Sequence, residues 1–207
     1  MAFLDDIDRS RIEAAVAKAE QRTAAELVTV IARECGDYLF LPTLIAAVAT
    51  LLLSGIALLI PWPLHITVAE FYVGQVLGFI VLYLILAWRP LRHRLVPRAI
   101  QRRRAGIRAH QMFLDLGMAS TRHRTGVMFF VSACEHYAEI ITDRGVRDVV
   151  PDEVWTDIVA RFGNAVRERR IADGFVEAIT TCTEVLAERL PRLPDDQNEL
   201  PNRTVEL

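Results

Sequence analysis

Four side chains are candidates for chemistry on a phosphate ester or a metal ion. Asp143 follows an apolar run and precedes a Gly turn, so it is predicted at a strand end, where α/β sheets place their ligands. Arg144 could neutralise a phosphoryl group, and Glu26 or Asp37 could join Asp143 as oxygen ligands of Ca²⁺ or Mg²⁺. The candidate catalytic residues are therefore Asp143 and Arg144, and the candidate metal ligands are Glu26, Asp37 and Asp143. The alternative is a helix-capping Asp143 beside a solvated Arg144.

The sequence contains no motif typical of other kinds of catalytic centre. No Cys is followed by Arg at the spacing of a nucleophilic loop, and no Gly-rich phosphate loop with Lys occurs. Cys35, Cys134 and Cys182 lie far apart without zinc spacing, so each is expected to be a buried, reduced thiol. His123 and His136 flank a predicted strand and are expected to be surface or partnered residues. Whether the protein is an enzyme stays open, and no cofactor beyond Ca²⁺ or Mg²⁺ is indicated.

Two apolar stretches dominate the elements that must position these residues. Residues 39–60 contain no charge, and residues 71–88 contain Gln75 as their only strongly polar side chain. About 20 apolar residues are needed to cross a bilayer as a helix. A pair of buried core helices is the alternative, but a domain this small has no interior that could enclose both. The sequence therefore predicts a transmembrane hairpin turned by the Pro61–His65 segment.

Basic residues are distributed unevenly around this hairpin. No Asp or Glu occurs in residues 71–114, which contain eight arginines: Arg89, Arg92, Arg94, Arg98, Arg102, Arg103, Arg104 and Arg108. The connection between the two spans has no Lys or Arg, so the positive-inside rule places both flanks, and both termini, in the cytoplasm. Anionic lipid headgroups explain the arginines better than nucleic acid does. The predicted partners are the lipid bilayer and an unknown membrane protein, with no nucleic acid.

Gly74 and Gly78 form a pair of small residues four positions apart on the second span. Such pairs allow two helices to approach closely within a membrane. They indicate either packing against the first span of the same chain or a homo-oligomer formed through Gly74 and Gly78.

The soluble parts of the chain predict a single sheet covered by helices. Residues 27–31 are a β-branched run typical of a buried strand, and residues 127–131 and 136–141 are predicted as the second and third strands. The short gap between the last two predicts an antiparallel hairpin. Ser10 and Glu13 resemble a capping box for a first helix, and Leu91 to Met118 predict one long basic helix. A lone first strand would leave backbone groups unpaired, so the spans are predicted as an insertion after it. The predicted parts are residues 1–38, the hairpin 39–88, residues 89–192, and a tail 193–207 that is expected to be loose except at Leu200-Pro201 and Val205.

These residues resemble the TPM domain family over nearly the whole chain. The matching motifs, in order, are Ala25-Glu26-Leu27-Val28, Thr125-Gly126-Val127 through Val131-Ser132, Glu139 to Gly145, Gly174-Phe175 and Asn198 to Pro201. The resemblance implies an α/β/α sandwich with a small central sheet, often attached to a membrane. Members have been linked to phosphatase activity and divalent-metal binding, and others to assembly or repair of membrane complexes. Asp37-Tyr38 is what remains here of the family's acidic loop.

The sequence thus predicts a membrane-anchored TPM-like domain that faces the cytoplasm. Its Arg-, Ala- and Val-rich composition favours a bacterial source, and hence the inner membrane. The predicted role is a non-catalytic binding or assembly module of unknown partner. The alternative is a divalent-metal-dependent, phosphatase-like hydrolase.

Overall fold

The computed structural model describes residues 5–59, 67–192 and 199–207. The chain divides into two compact units, one formed by residues 1–35 and 101–207 and the other by residues 36–100. The predicted turn at Pro61–His65 and the start of the Asn198–Pro201 motif lie outside the described residues. The four-part division predicted from the sequence stays a prediction.

The first unit is built on a four-stranded mixed sheet in the order β3-β2-β1-β4. Strand β1 pairs in parallel with β2 and β4, and β2 pairs antiparallel with β3. The predicted single sheet and its β2–β3 hairpin are therefore confirmed. The strands are β1 Glu26–Ala32, β2 Gly126–Ser132, β3 Tyr137–Thr142 and β4 Val205–Glu206. Strand β4 lies in the C-terminal tail and begins at Val205, one of the positions excepted from the loose tail, but its two residues are too few to show a strand pattern.

Helices cover both faces of this sheet, which confirms the α/β/α sandwich. In chain order, the helices of the two units are α1 Asp6–Glu20, α2 Phe40–Leu59, α3 Val68–Ala87, α4 Arg89–Leu95, α5 Arg98–Asp115, the short 3₁₀ helix η1 Met118–Ser120, α6 Arg144–Arg147, α7 Asp152–Arg167 and α8 Ile171–Arg189. Side chains alternate along a strand, so each face has its own core. Leu27 and Phe129 pack with α1, α7 and α8, whereas Val30 and Phe130 pack with α5 and η1.

Two helix predictions were wrong: one helix begins earlier than predicted, and the other is two helices. Helix α1 begins at Asp6, so Ser10 lies inside it and donates to the Asp6 carbonyl at 2.9 Å instead of forming a capping box. The acidic first turn explains the earlier start, because carboxylates stabilise a helix N-terminus. The long basic helix is divided into α4 and α5 at Pro97. Val96, which precedes this proline, is extended, as steric contact with the proline ring favours.

The second unit contains two helices that are long and apolar enough to cross a membrane, α2 and α3, each of 20 residues. None of the residues of α3, all of which are described, is buried, and α2 buries only Pro42, Ala46 and Thr50. Helix α3 begins three residues before the predicted span, because Thr67 and Glu70 form a capping box at its start. These helices weakly suggest a membrane protein.

Candidate functional site

Glu26 and Asp143 lie at the same edge of the sheet, on either side of Gly126. Glu26 is the register partner of Gly126, and the Asp143 amide donates to the Gly126 carbonyl at 2.9 Å. Neighbouring strands are about 4.8 Å apart, so the backbones at Glu26 and Asp143 are separated by roughly 10 Å. A Cβ at Gly126 would lie 2.6 Å from the Met118 carbonyl oxygen. The backbone of η1 therefore passes directly over Gly126, between Glu26 and Asp143.

Asp143 is a buried helix cap. Its side chain is among the buried polar groups, and its Oδ1 accepts a 2.7 Å hydrogen bond from the Arg144 amide at the start of α6. The other oxygen, Oδ2, is buried and accepts no hydrogen bond from the described part of the chain; Nη1 of Arg124 lies 3.8 Å from it. Arg124, which the sequence did not indicate, adopts a positive φ of 57° that turns the loop toward Asp143.

The turn after Asp143 needs a glycine at position 145, because the neighbouring backbone leaves no room for a side chain. A Cβ at this position would lie 2.5 Å from the His123 carbonyl oxygen and 2.8 Å from that of Arg124. The Gly145 amide donates to the Arg124 carbonyl at 2.9 Å. The turn therefore holds the loop before β2 against the end of β3, and a larger residue would separate them.

Arg144 points away from this edge into solvent. Its side chain is 82% exposed, and its Nε lies 3.7 Å from the exposed carboxylate of Asp148. A surface ion pair of this kind contributes little, because solvent screens it. The two residues predicted to act together therefore have different environments: the Asp143 carboxylate is buried, and the Arg144 guanidinium is exposed to solvent.

Glu26 is buried and connects β1 to the C-terminal segment. Its Oε1 accepts a 3.1 Å hydrogen bond from the Glu199 amide, while the Glu199 carboxylate accepts from the Arg122 amide. Asp37 is exposed and belongs to the other compact unit. Within the described ranges, no three His, Cys, Asp or Glu side chains come together as metal ligands. Glu26 and Asp143 alone do not surround one ion, and ligation by Glu26, Asp37 and Asp143 stays a prediction.

A second carboxylate, Glu20, lies beside Glu26 in a cavity that the sequence did not indicate. The cavity has a volume of ≈ 260 Å³, and Arg192 and Asn202 also line it. Glu20 accepts a hydrogen bond from the Leu27 amide at 3.3 Å. Burial, and then the nearby charge of Glu26, raise the pKa of Glu20 to about 7. No local pattern marks Glu20, because the cavity forms only when α1, β1 and the C-terminal segment meet.

A polar cluster occupies the opposite edge of the sheet. The Cys35 thiol donates to Ser132 Oγ at 3.2 Å, Ser132 in turn donates to Glu135, and the Cys35 amide donates to Glu135 Oε1 at 2.9 Å. Burial raises the pKa of the Cys35 thiol to about 11, so this group is a neutral thiol at pH 7 and a poor nucleophile. Cys35, Cys134 and Cys182 are reduced thiols that form no disulfide; Cys182 is buried as predicted, whereas Cys35 and Cys134 are only half-buried.

Comparison with known proteins gives a family match for part of the chain. The TPM domain family model matches residues 95–185, which include β2 and β3 and exclude β1 and both apolar helices. The chain is also similar to the BA42 protein from the psychrophilic bacterium Bizionia argentinensis sp. nov., solved by NMR. The TM-score is 0.62 at 18% identity, covering 100% of this chain and 97% of that one, which shows a shared fold. No curated protein matches the chain.

Proposed function

We propose that this chain, whose residues 95–185 match the TPM domain family model, is a membrane-anchored TPM protein whose domain acts as a non-catalytic binding or assembly module. The observation that carries the proposal is the apolar exterior of α2 and α3, inserted into the chain between β1 and β2 of the domain. The partner is a membrane protein whose identity is unknown.

The anchor is supported by the extent of exposed apolar surface. Leu51, Leu52 and Leu53 of α2 are each 62% exposed, so leucines face outward in three successive directions around the helix. Soluble monomers rarely expose apolar surface on this scale, whereas a bilayer would remove it from water. Both helices are also long enough to span the hydrocarbon region.

The orientation is supported by the arginines that follow α3. Segments rich in Lys and Arg close to a span stay in the cytoplasm, so the residues after Trp88 are placed there. An even number of spans brings residues 1–38 to the same side, where β1 can pair with β2. The protein is therefore proposed to be a two-span protein of a bacterial inner membrane with both termini in the cytoplasm.

The non-catalytic role is supported by how the candidate residues are used. One Asp143 oxygen caps α6, the Arg144 side chain extends into solvent, and the Cys35 thiol is neutral at pH 7. Phosphoryl transfer needs several charges that converge on one group. Helix capping and surface pairing account for Asp143 and Arg144 without such a group.

An assay of the purified full chain on p-nitrophenyl phosphate tests this role. We expect no hydrolysis above the blank with or without Mg²⁺ or Ca²⁺, no change in Asp143→Asn, and no metal-induced rise in the unfolding temperature. Asn keeps an oxygen that can cap α6, so we expect Asp143→Asn to cost at most about 1 kcal/mol. The matched control is Asp148→Asn, whose carboxylate is exposed. Metal-stimulated hydrolysis that Asp143→Asn abolishes without loss of fold, and that Asp148→Asn leaves intact, would establish the hydrolase instead.

Self-association through Gly74 and Gly78 is supported by the space beside them. They line a groove of ≈ 650 Å³ between α2 and α3, together with Thr50 and Ser54. Apart from the adjoining backbone of α3 itself, no heavy atom of the described residues lies within 4 Å of the position that a Cβ would take at either glycine. The glycines therefore leave room that α2 does not fill, and we propose that α3 of a second copy enters it.

Leucine at both glycines should weaken the dimer. We expect Gly74→Leu with Gly78→Leu to reduce association in liposomes roughly tenfold, which is about 1.4 kcal/mol, because the larger side chains prevent the close approach of the two helices. Single-molecule photobleaching would measure the dimer fraction. Gly55→Leu on α2 is the control, since it adds the same side chain at an exposed position that also has open space. Equal dimer fractions in all three proteins, or a monomeric wild type, would reject this interface.

A further inference from the structure

Helix α5 has an aliphatic stripe on the face opposite its core contacts. Ile100, Ile107 and Leu114 are 44%, 50% and 66% exposed, and they follow one another at intervals of seven residues. Seven residues are close to two helical turns, so the three side chains lie on one face. The opposite face is buried and consists of Gln101, Ala105, Ala109, Met112 and Phe113. We call Ile100, Ile107 and Leu114 the outer stripe of α5.

Arginines border the outer stripe on both sides. At 100° per residue, Arg104 projects about 40° to one side of Ile100 and Arg103 about 60° to the other. Both are exposed, as are Arg98 and Arg102. No acidic residue occurs between Glu70 and Asp115, so the segment that carries these arginines is strongly positive.

We propose that the outer stripe of α5 inserts into the headgroup region of an anionic bilayer while its arginines pair with lipid phosphates. Aliphatic residues flanked by Arg are typical of helices that lie in the plane of a membrane surface. The inference rests on the proposed anchor. Helix α5 begins eleven residues after α3 ends, so this short connection keeps the first turn of α5 close to the bilayer. It adds a second, peripheral membrane contact to the two spans.

Charge favours lipid over other occupants of this face. In a second copy of α5, arginines would oppose arginines, and like charges across an interface are unfavourable. Nucleic acid would satisfy the arginines but would leave the outer stripe against a hydrated phosphate backbone. An anionic bilayer satisfies both kinds of side chain, since phosphates lie at its surface and acyl chains directly below.

The test uses the full chain in vesicles that contain brominated lipids, which quench tryptophan on contact. Ile107→Trp adds a reporter to the outer stripe, and the signal of the wild-type chain is subtracted because its own three tryptophans are common to all samples. We expect stronger quenching in vesicles with phosphatidylglycerol than in pure phosphatidylcholine. Thr180→Trp, at an exposed position on α8, is the control and should not be quenched in either.

Removing the positive charges of Arg103 and Arg104 should weaken the binding of the outer stripe to the bilayer. Each Arg near an anionic surface contributes about 1 kcal/mol, so adding Arg103→Gln and Arg104→Gln to Ile107→Trp should lower the docked-to-free ratio roughly thirtyfold. An alkaline wash of the same vesicles tests the anchor separately. A chain that resists the wash but shows no quenching at position 107 overturns this inference and leaves the proposed anchor intact. A chain that washes off but is quenched in anionic vesicles supports the surface contact and overturns the anchor. Crosslinking between copies through α5, without quenching, also overturns the inference and identifies a second copy as the occupant.

Discussion

Arginine at the midpoints of both apolar helices is expected to keep the chain out of the membrane. Leu52 and Leu77 lie near the centres of α2 and α3 and are 62% and 55% exposed, so neither substitution disturbs a packed core. An Arg at the centre of a span costs about 2.5–3.5 kcal/mol on the insertion scale. Leu52→Arg with Leu77→Arg should therefore lower the inserted-to-uninserted ratio by a factor on the order of ten thousand.

Immunoblots of alkali-washed membrane pellets and supernatants would measure this partition. Thr180→Arg adds one arginine at an exposed position of α8 and should leave the chain in the pellet. Leu52→Phe with Leu77→Phe keeps both positions apolar and should also stay in the pellet. Recovery of the wild-type chain in the supernatant, or retention of the double-arginine chain in the pellet, would mean that α2 and α3 are not an anchor.

Neutralising Glu20 is expected to stabilise the protein in alkaline solution and to have little effect in acid. The pKa of Glu20 rises from 4.5 to about 7 in the folded chain, through burial first and the charge of Glu26 second. Below pH 4.5 the carboxyl is protonated in both the folded and unfolded states, so it adds no pH-dependent cost. As the pH rises from 4.5 to 7, the unfolded state loses its proton first, and the folded state becomes relatively less stable.

The size of this effect follows from the same pKa values. A tenfold change in proton affinity corresponds to about 1.4 kcal/mol, so the rise from 4.5 to about 7 would correspond to about 3.5 kcal/mol for a fully enclosed carboxylate. Glu20 is only half-buried and solvent screens its charge, so Glu20→Gln should raise the free energy of unfolding by about 1–2 kcal/mol at pH 8. Gln keeps an oxygen that can accept from the Leu27 amide. Urea titrations of the detergent-solubilised full chain at pH 4.5 and pH 8 would measure the difference. Glu184→Gln, at an exposed position of α8, is the control and should change neither value by more than about 0.5 kcal/mol. An equal effect of Glu20→Gln at both pH values would disprove the raised pKa.

Patterns that repeat within a few residues predicted much of this fold. The runs at 27–31 and 127–131 form strands because β-branched side chains suit a surface buried on both faces. Gly117 follows α5 with a φ of 72°, a left-handed conformation that glycine adopts without steric cost. Errors arose where two local signals competed. Ser10 resembled a cap but followed three aspartates that favour an earlier start, and Pro97 divides a segment whose basic composition is continuous.

The candidate site was harder to predict than the fold. Asp143 was identified because it follows a strand and precedes a glycine, and both features are local. The sequence did not predict that Arg124 lies near Asp143, because their proximity depends on the turn that precedes β2. Glu20 and Glu26 are six residues apart in the chain, but only the packing of α1 against β1 makes them line one cavity.

The sequence by itself determined the apolar helices, the basic segment after them, the three longer strands and the acidic residue at the end of β3. Each depends on side chains that are neighbours in the chain, whose spacing and charge are already present before folding. Only the tertiary structure decided that β4 completes the sheet, that Glu20 and Glu26 share a cavity, and that Asp143 is buried while Arg144 is solvated. Those features depend on burial and on contacts between distant segments, which arise from the packing of the whole chain.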